Sequence, residues 1–225
     1  MIHCLADGLW HVPHAFKVNG LPLTTRMTLV RLPCGGLWLH SPVPLGPGLR
    51  AAVQALGPVR HIVAPSKTHH LFLTDCARAF PEAALFGAPG LAQKRPDVAG
   101  LRELSMDAGG PWPDELAGLL FEGIPFANET LWFHHRSRTL IVTDLLQWWQ
   151  GDMALSARLY ARLTGVRQSL AVPRTVRLLV RDREAARRCA RRILDWPFER
   201  VVVAHNAVVE IDARRQVEQA LACWL

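Results

Sequence analysis

Short apolar or alternating runs recur along the chain, separated by polar stretches rich in glycine and proline, and longer segments of helical spacing fall between them. In the first part, LWHVP, TRMTLVRL and GLWLHSPV are expected strands, with turns at Asn19-Gly20 and Gly35-Gly36. LGPGLRAAVQALG has Leu49, Val53 and Leu56 on one side and reads as a helix closed by a left-handed cap at Gly57. HIVA is a strand, PSKTHH a polar loop, LFLTDCARAF a helix and PEAALFGAPG a turn, an apolar run and another turn. From Gly90 to Pro113 the periodicity fades, which predicts a surface excursion at one edge of a site.

Further along, TLWFHH and RTLIVTDL pair as a hairpin around Arg136-Ser137. A helix is expected over WWQGDMALSARLYARL, stopped by Gly165, and a strand over VRLLV. DREAARRCARRILDW is a basic helix with Asp182 as N-cap; its Ala186, Cys189, Ala190 and Ile193 face inward. The strand VVVA then delivers His205 and Asn206, and ARRQVEQALACWL closes the chain as a helix.

Composition narrows the class. The 225 residues are half hydrophobic and one fifth charged, an ordinary globular balance that allows one domain over 1–225. No apolar run approaches a membrane span and the N-terminus lacks a signal pattern, so the expected location is cytoplasmic, without a membrane partner. Five dispersed cysteines without a CxxC pair predict reduced, buried thiols. The net charge of +7 comes mainly from arginine, with only three lysines, Lys17, Lys67 and Lys94. Such a balance favours anionic partners, or reflects arginine on solvated faces.

The chemistry-bearing residues collect at strand ends: His40, then Lys67, His69 and His70, then Asp144, then His205. A strand that opens through a polar loop into a helix is where α/β proteins place their chemistry. Each residue also has a plain alternative. His40 lines a site or sits at a surface strand end; the paired histidines are ligands or helix-capping residues; His134 and His135 read as solvated turn residues. Asp144 after a buried apolar run needs a metal, an ion pair or backbone donors. Imidazoles converging with one carboxylate suit a four-coordinate ion such as zinc.

RMTLVRL, LWLHSPV, APSKTHHLFL, SRTLIVTDLL and VVVAHN, in that order, resemble the metallo-β-lactamase-like hydrolase superfamily, and more narrowly an uncharacterised branch of it. The resemblance implies an α/β (α+β) fold, a four-layer αββα sandwich, from about Gly8 to His205. The superfamily's H-x-H-x-D-H motif falls on Pro65 to His70, so its two leading histidines are Pro65 and Lys67, and its aspartate is His69. A loop that supplies another histidine in the family is here GIPFANET, which offers Asn128 and Glu129 for substrate, and a strand-end aspartate becomes His40.

What the resemblance implies is a first metal position that is lost and a second held by His69, His70, Asp144 and His205. It would take one divalent ion, zinc first, with iron or manganese as alternatives. Lys67 would replace the charge of the missing ion, and Lys67 and His40 would be the acid-base or electrophilic helpers. The expected activity is mononuclear metal-dependent hydrolysis of a small, anionic substrate. The alternatives are a metal-free, non-catalytic protein with an anion-binding pocket and a nucleic-acid-processing relative. The last is disfavoured because the basic helix lacks interleaved aromatics. Substrate and oligomeric state are not specified by the residues.

Overall fold

The computed structural model describes residues 1–105, 112 and 114–225. Its first sheet has the order β1(His3–Ala6), β2(Leu9–Val18), β3(Leu21–Arg31), β4(Leu37–His40), β5(Val59–Ala64), β6(Ala84–Gly87) and β7(Leu101–Glu103). Strands β1 to β4 pair antiparallel and β4 to β7 parallel. The second sheet runs β12(Val208–Val209), β11(Arg200–Val203), β10(Thr139–Val142), β9(Thr130–His134), β8(Leu116–Leu120). There β10 pairs with β11 parallel, and the pairs β11 with β12, β10 with β9 and β9 with β8 are antiparallel.

Alternation along the strands sorts the apolar side chains into three layers. Leu37 and Leu39 of β4 and Ile62 and Ala64 of β5 face outward onto α1(Pro47–Leu56), α2(Leu73–Ala79) and α3(Leu91–Lys94), meeting Val53, Leu73, Cys76 and Leu91. Between the sheets lie Trp38, Val63, Trp132 and Ile141, with the rings of Trp38, Trp112 and Trp132 in edge contact at 5.4–6.0 Å. Leu131, Phe133, Leu140 and Val142 face the other way, onto α6(Arg183–Asp195) and α7(Ala213–Leu221). The result is the expected four-layer αββα sandwich. Apart from these layers, α4(Leu155–Thr164) seats Ala157 and Ala161 beside Leu21 and Leu23 at the start of β3.

Most local expectations hold. Val18 pairs with Leu21 across Asn19 (φ 50°) and Gly20 (φ 82°), both in the left-handed region a two-residue hairpin needs. Asp182 caps α6 by accepting from the Ala185 N–H at 2.9 Å, and Ala186, Cys189, Ala190 and Ile193 are buried as their spacing predicts.

Several expectations are corrected. Gly57 closes α1 at φ 153°, ψ 171°, not in the left-handed helical region; glycine is required there because a Cβ would lie 2.7 Å from the Gly35 carbonyl oxygen. The stretch from Trp148 to Ala154 is irregular, pinned by bridges from Gln147 to Ala171 and from Trp148 to Asn206, so the helix begins only at Leu155. VRLLV lies largely in α5(Arg174–Leu178), which follows Pro173. The expected excursion contains α3 and β7, while 106–111 and 113 lie outside the described residues. All five cysteines are free, but only Cys76 and Cys189 are buried. His134 is fully buried and bonded to Glu115 and Ser137, not solvated. No helix among the described residues is long and apolar enough to cross a membrane.

Candidate metal centre

Loops after β5, β10 and β11 meet at one end of the sandwich, and each is held by contacts its sequence dictates. The 65–70 loop leaves β5 with Pro65 pinned to the other sheet, its carbonyl accepting from the Thr130 N–H at 2.8 Å and the Thr130 hydroxyl at 3.0 Å. Buried Ser66 then accepts from the N–H groups of Thr68 and His69 at 3.3 and 3.0 Å, closing a tight turn that fixes where His69 points.

The 143–145 turn is held by Glu129. Its buried carboxylate accepts from the backbone N–H groups of Thr143, Asp144 and Leu145 at 2.6, 3.0 and 2.8 Å. Burial, and next the charge of Asp144, push the Glu129 carboxyl up to about 7 against those donors. Glu129 therefore positions Asp144, and its oxygens are already engaged. Asn128 (φ 44°) donates its side-chain amide to the Pro89 carbonyl at 2.9 Å. The substrate-contact roles expected for this pair are not what the geometry gives them. Three non-glycine residues of left-handed backbone, Ser41, Asn128 and Asn206, stand on the loops at this end, where strain is retained for positioning.

His69, Asp144 and His205 come together, one donor atom from each lying within 4.8 Å of the others. His69 Nε2 is 3.4 Å from Asp144 Oδ2, and His205 Nε2 is 2.9 Å from Asp144 Oδ1. The far side of each ring is oriented by the chain. His205 Nδ1 faces the Thr24 carbonyl at 2.6 Å, which only accepts, so Nδ1 carries a proton and the neutral ring presents its Nε2 lone pair to the cluster. His69 Nδ1 lies 2.9 Å from the Ser41 hydroxyl. Thr68 donates to Asp144 Oδ2 at 2.7 Å, so the 2.8 Å contact between Ser66 and Thr68 has Ser66 as donor. Gln147 donates to Asp144 Oδ1 at 3.2 Å.

Electrostatics follow from this crowding. Burial raises the Asp144 carboxyl, but the neighbouring imidazoles of His69 and His205 outweigh it and hold the group well below the usual carboxylate range. Burial lowers His205, and the hydrogen bond and charge of Asp144 more than reverse that, leaving it raised. Two imidazole nitrogens and one carboxylate are a donor set that zinc accepts, and three protein donors leave a position for water or substrate.

The other expected site residues are placed differently. His70 is buried apart from the cluster: Arg95 donates to its Nδ1 at 3.0 Å, so the neutral ring carries its proton on Nε2 and offers no free lone pair. Of the four expected ligands, three come together. His40 is also buried, stacked on Trp38 at 5.2 Å, and its Nε2 has no hydrogen-bond partner among the described residues. Burial, and then the nearby His69, pull the His40 imidazole down to about 3, so it is a neutral core residue and not an acid-base helper. Lys67 is partly exposed, its ammonium donating to the Pro125 carbonyl at 3.1 Å; a Cβ on Gly90 would crowd its Cε at 2.9 Å. Lys94 donates to the Lys67 carbonyl at 2.6 Å.

Two cavities flank the cluster. One, about 360 Å³, is lined by Ser41, Lys67, His69, Lys94 and His205 among others. A second, about 260 Å³, is walled by Ile124, Leu145, Val176 and Leu179. Thr68 and Asp144 line both. The sequence did not single out Thr24, Arg26, Thr68 or Gln147; Thr68 alone carried a signal, as a hydroxyl within the polar loop after β5.

Residues 6–154 match the family described as a domain of unknown function, DUF4336. No curated protein matches the chain in sequence. Among solved structures it is similar to a metallo-β-lactamase from Erythrobacter litoralis, with 12% identity, 98% of this chain and 95% of that chain covered, and TM-score 0.67. It is also similar to one from Pontibacter korlensis, with 10% identity, 99% and 98% coverage and TM-score 0.66. A third, from Pseudomonas aeruginosa in a mono-zinc form, has 10% identity, 99% and 95% coverage and TM-score 0.64. At these identities the likeness establishes the shared fold.

Proposed function

The chain belongs to the DUF4336 family and folds like a metallo-β-lactamase, and we propose that it is a mononuclear metal-dependent hydrolase whose ion is held by His69, Asp144 and His205. The observation that carries this reading is the convergence of the two Nε2 atoms on Asp144 while Thr24 and Ser41 hold the opposite ring nitrogens. That is how ligating imidazoles are oriented in metal sites. Zinc, or in its place iron or manganese, would polarise a carbonyl or phosphoryl oxygen and lower the pKa of water.

The chain's own groups account for the rest. Thr68 and Gln147 hold the Asp144 carboxylate, each donating to a different oxygen. Lys67 and Lys94 place positive charge on the wall of the larger cavity, which fits a small substrate bearing a carboxylate or phosphate. The position that Pro65 and Lys67 take in the superfamily motif provides no imidazole for a second ion.

One observation favours a second reading, a metal-free anion-binding protein: Asp144 is already bonded to His205 and Thr68 and paired with His69. Elemental analysis of protein purified without a metal-affinity tag separates the two. The hydrolase reading expects about one equivalent of metal per chain, lost in Asp144→Asn and in His205→Ala with the circular dichroism of the fold retained. Metal kept in both variants, or no uptake of zinc, iron or manganese by the wild type, would overturn it.

A further inference from the structure

The smaller cavity differs from the larger one in charge: among the described residues its lining holds no lysine or arginine. Its walls come from the 121–127 segment, the chain after β10, Tyr160 of α4 and one side of α5, and they are mainly apolar: Phe121, Ile124, Leu145, Val176 and Leu179. Phe126, 62% exposed, and Leu179, 39% exposed, stand at its edge, so the slot opens through apolar side chains.

Tyr160 and Thr175 bring hydroxyls from α4 and α5, and the polar residues near Asp144 are engaged within the protein. Glu129 accepts from three backbone N–H groups, and Thr68 donates to Asp144. Gln147 donates to Asp144 and accepts from the Trp149 indole at 3.0 Å. A ligand group in this slot therefore gains by apolar contact more than by new hydrogen bonds. At about 260 Å³ it is also smaller than ordinary ligand pockets of roughly 300–1,000 Å³, which suits part of a ligand and not the whole.

Thr68 and Asp144 belong to both cavities, so the two meet at the candidate metal centre. Apolar side chains line both, Phe16, Leu23 and Phe72 among them in the larger one, but the larger one adds Lys67 and Lys94, two of the chain's three lysines. We infer that the smaller cavity is an acyl subsite, and that the substrate is an ester or thioester joining an apolar acyl group to an anionic alcohol or thiol. The inference rests on the hydrolase reading for its reaction. In that reaction the oxygen of water joins the acyl carbon, the C–O or C–S bond breaks, and the departing oxygen or sulfur takes up a proton. The acid keeps its chain in the slot while the anionic product leaves past the lysines.

The test reads the subsite separately from the metal. Binding of the neutral fluorescent probe N-phenylnaphthylamine is titrated against chelator-treated and zinc-loaded protein. Val176→Trp fills the slot, Leu179→Arg puts a charge at its edge, and Leu159→Ser removes an exposed apolar side chain elsewhere, on α4. Expected is saturable binding by the wild type, weakened roughly tenfold or more by either slot variant and unchanged by Leu159→Ser. Leu179→Arg, at a partly exposed position, stands in if Val176→Trp does not fold. Equal binding in all proteins, or loss only in Leu159→Ser, overturns the subsite even where one equivalent of metal is present. Slot-dependent binding by a wild type that takes up no metal retires the hydrolase reading and keeps the apolar subsite. With metal present, the slot variants should lose hydrolysis of hexanoyl thioesters more than of acetyl thioesters; an equal loss on both overturns the acyl assignment.

Discussion

His40 illustrates how far a single residue can be read from sequence. Its place at a strand end was legible, and the partner it lacks was not. It lies at the end of β4, where strand-end chemistry is expected, yet the stacked Trp38 ring and the surrounding core leave it buried, with no partner for Nε2 among the described residues. Its imidazole is pulled from 6.5 to about 3. Above pH 6.5 both folded and unfolded chains hold it neutral, so it contributes no pH dependence there. As pH falls from 6.5 toward 3 the unfolded chain takes up the proton and the fold does not, so stability is lost progressively across that window. At about 1.4 kcal/mol for each tenfold of proton affinity, the loss is roughly 3–5 kcal/mol. His40→Phe should therefore unfold at a lower pH than the wild type, by urea titrations run from pH 7 to pH 4, and should keep its metal. An unchanged acid limb would show that His40 protonates within the fold. His69 and His70 make the same point: both follow one polar loop, and only the turn closed by Ser66 and the guanidinium of Arg95 decide which of them faces Asp144. Those partners are two tertiary facts that spacing does not encode.

At the scale of elements, strands and caps were legible where local chemistry decides them, and unclear where an apolar run was short. VRLLV fits a strand or one turn of a buried helix equally well; Pro173 before it and the packing of Val176 and Val180 on the second-sheet core settle it as helix. The run Leu116–Leu120 carried no assignment and forms β8, because its glycine at 118 leaves room for the ring of Trp132 across the pair, where a Cβ would sit 2.7 Å from a ring carbon. The N-cap of α6 was read correctly, since Asp182 accepts from Ala185; the structure adds Glu184 in the first turn near the positive helix end. Asp182→Ala should lower stability by about 1 kcal/mol through the lost cap. Thermal unfolding monitored at the helix band checks it, and the metal content should not change, since α6 lies on the outer face of the second sheet.

At the scale of the whole molecule, the fold was visible in the order of strand ends, whereas what joins the two sheets at the site was not. Arg26 sits in the middle of β3 and is buried, without a carboxylate partner among the described residues. Its guanidinium donates to the carbonyls of Val203, Ala207 and Asn206 at 3.0, 2.6 and 2.9 Å, all in the turn after β11 that carries His205. Burial lowers it only to about 10, so it stays charged at neutral pH. Two residues earlier, the Thr24 carbonyl accepts from His205 itself. One strand of the first sheet therefore fixes a histidine of the candidate metal centre that belongs to the second, and no periodicity in TRMTLVRL announces it. Removing the guanidinium takes away the charged donor to all three carbonyls, so Arg26→Ala should cost roughly 3–5 kcal/mol. A lysine has a single ammonium where the planar fork reaches three acceptors, so Arg26→Lys should recover little of it. Arg138→Ala, which breaks an exposed pair with Glu199 and an exposed hydrogen bond to the Pro197 carbonyl, should cost about 1 kcal/mol or less and serves as the control. If Arg26 positions His205, zinc affinity measured on folded Arg26→Lys protein by competition with a chromophoric chelator should fall by roughly tenfold or more, as it does when groups that orient a ligand are removed. A lower Tm with wild-type zinc affinity would instead make Arg26 a clasp between the sheets with no part in the metal centre.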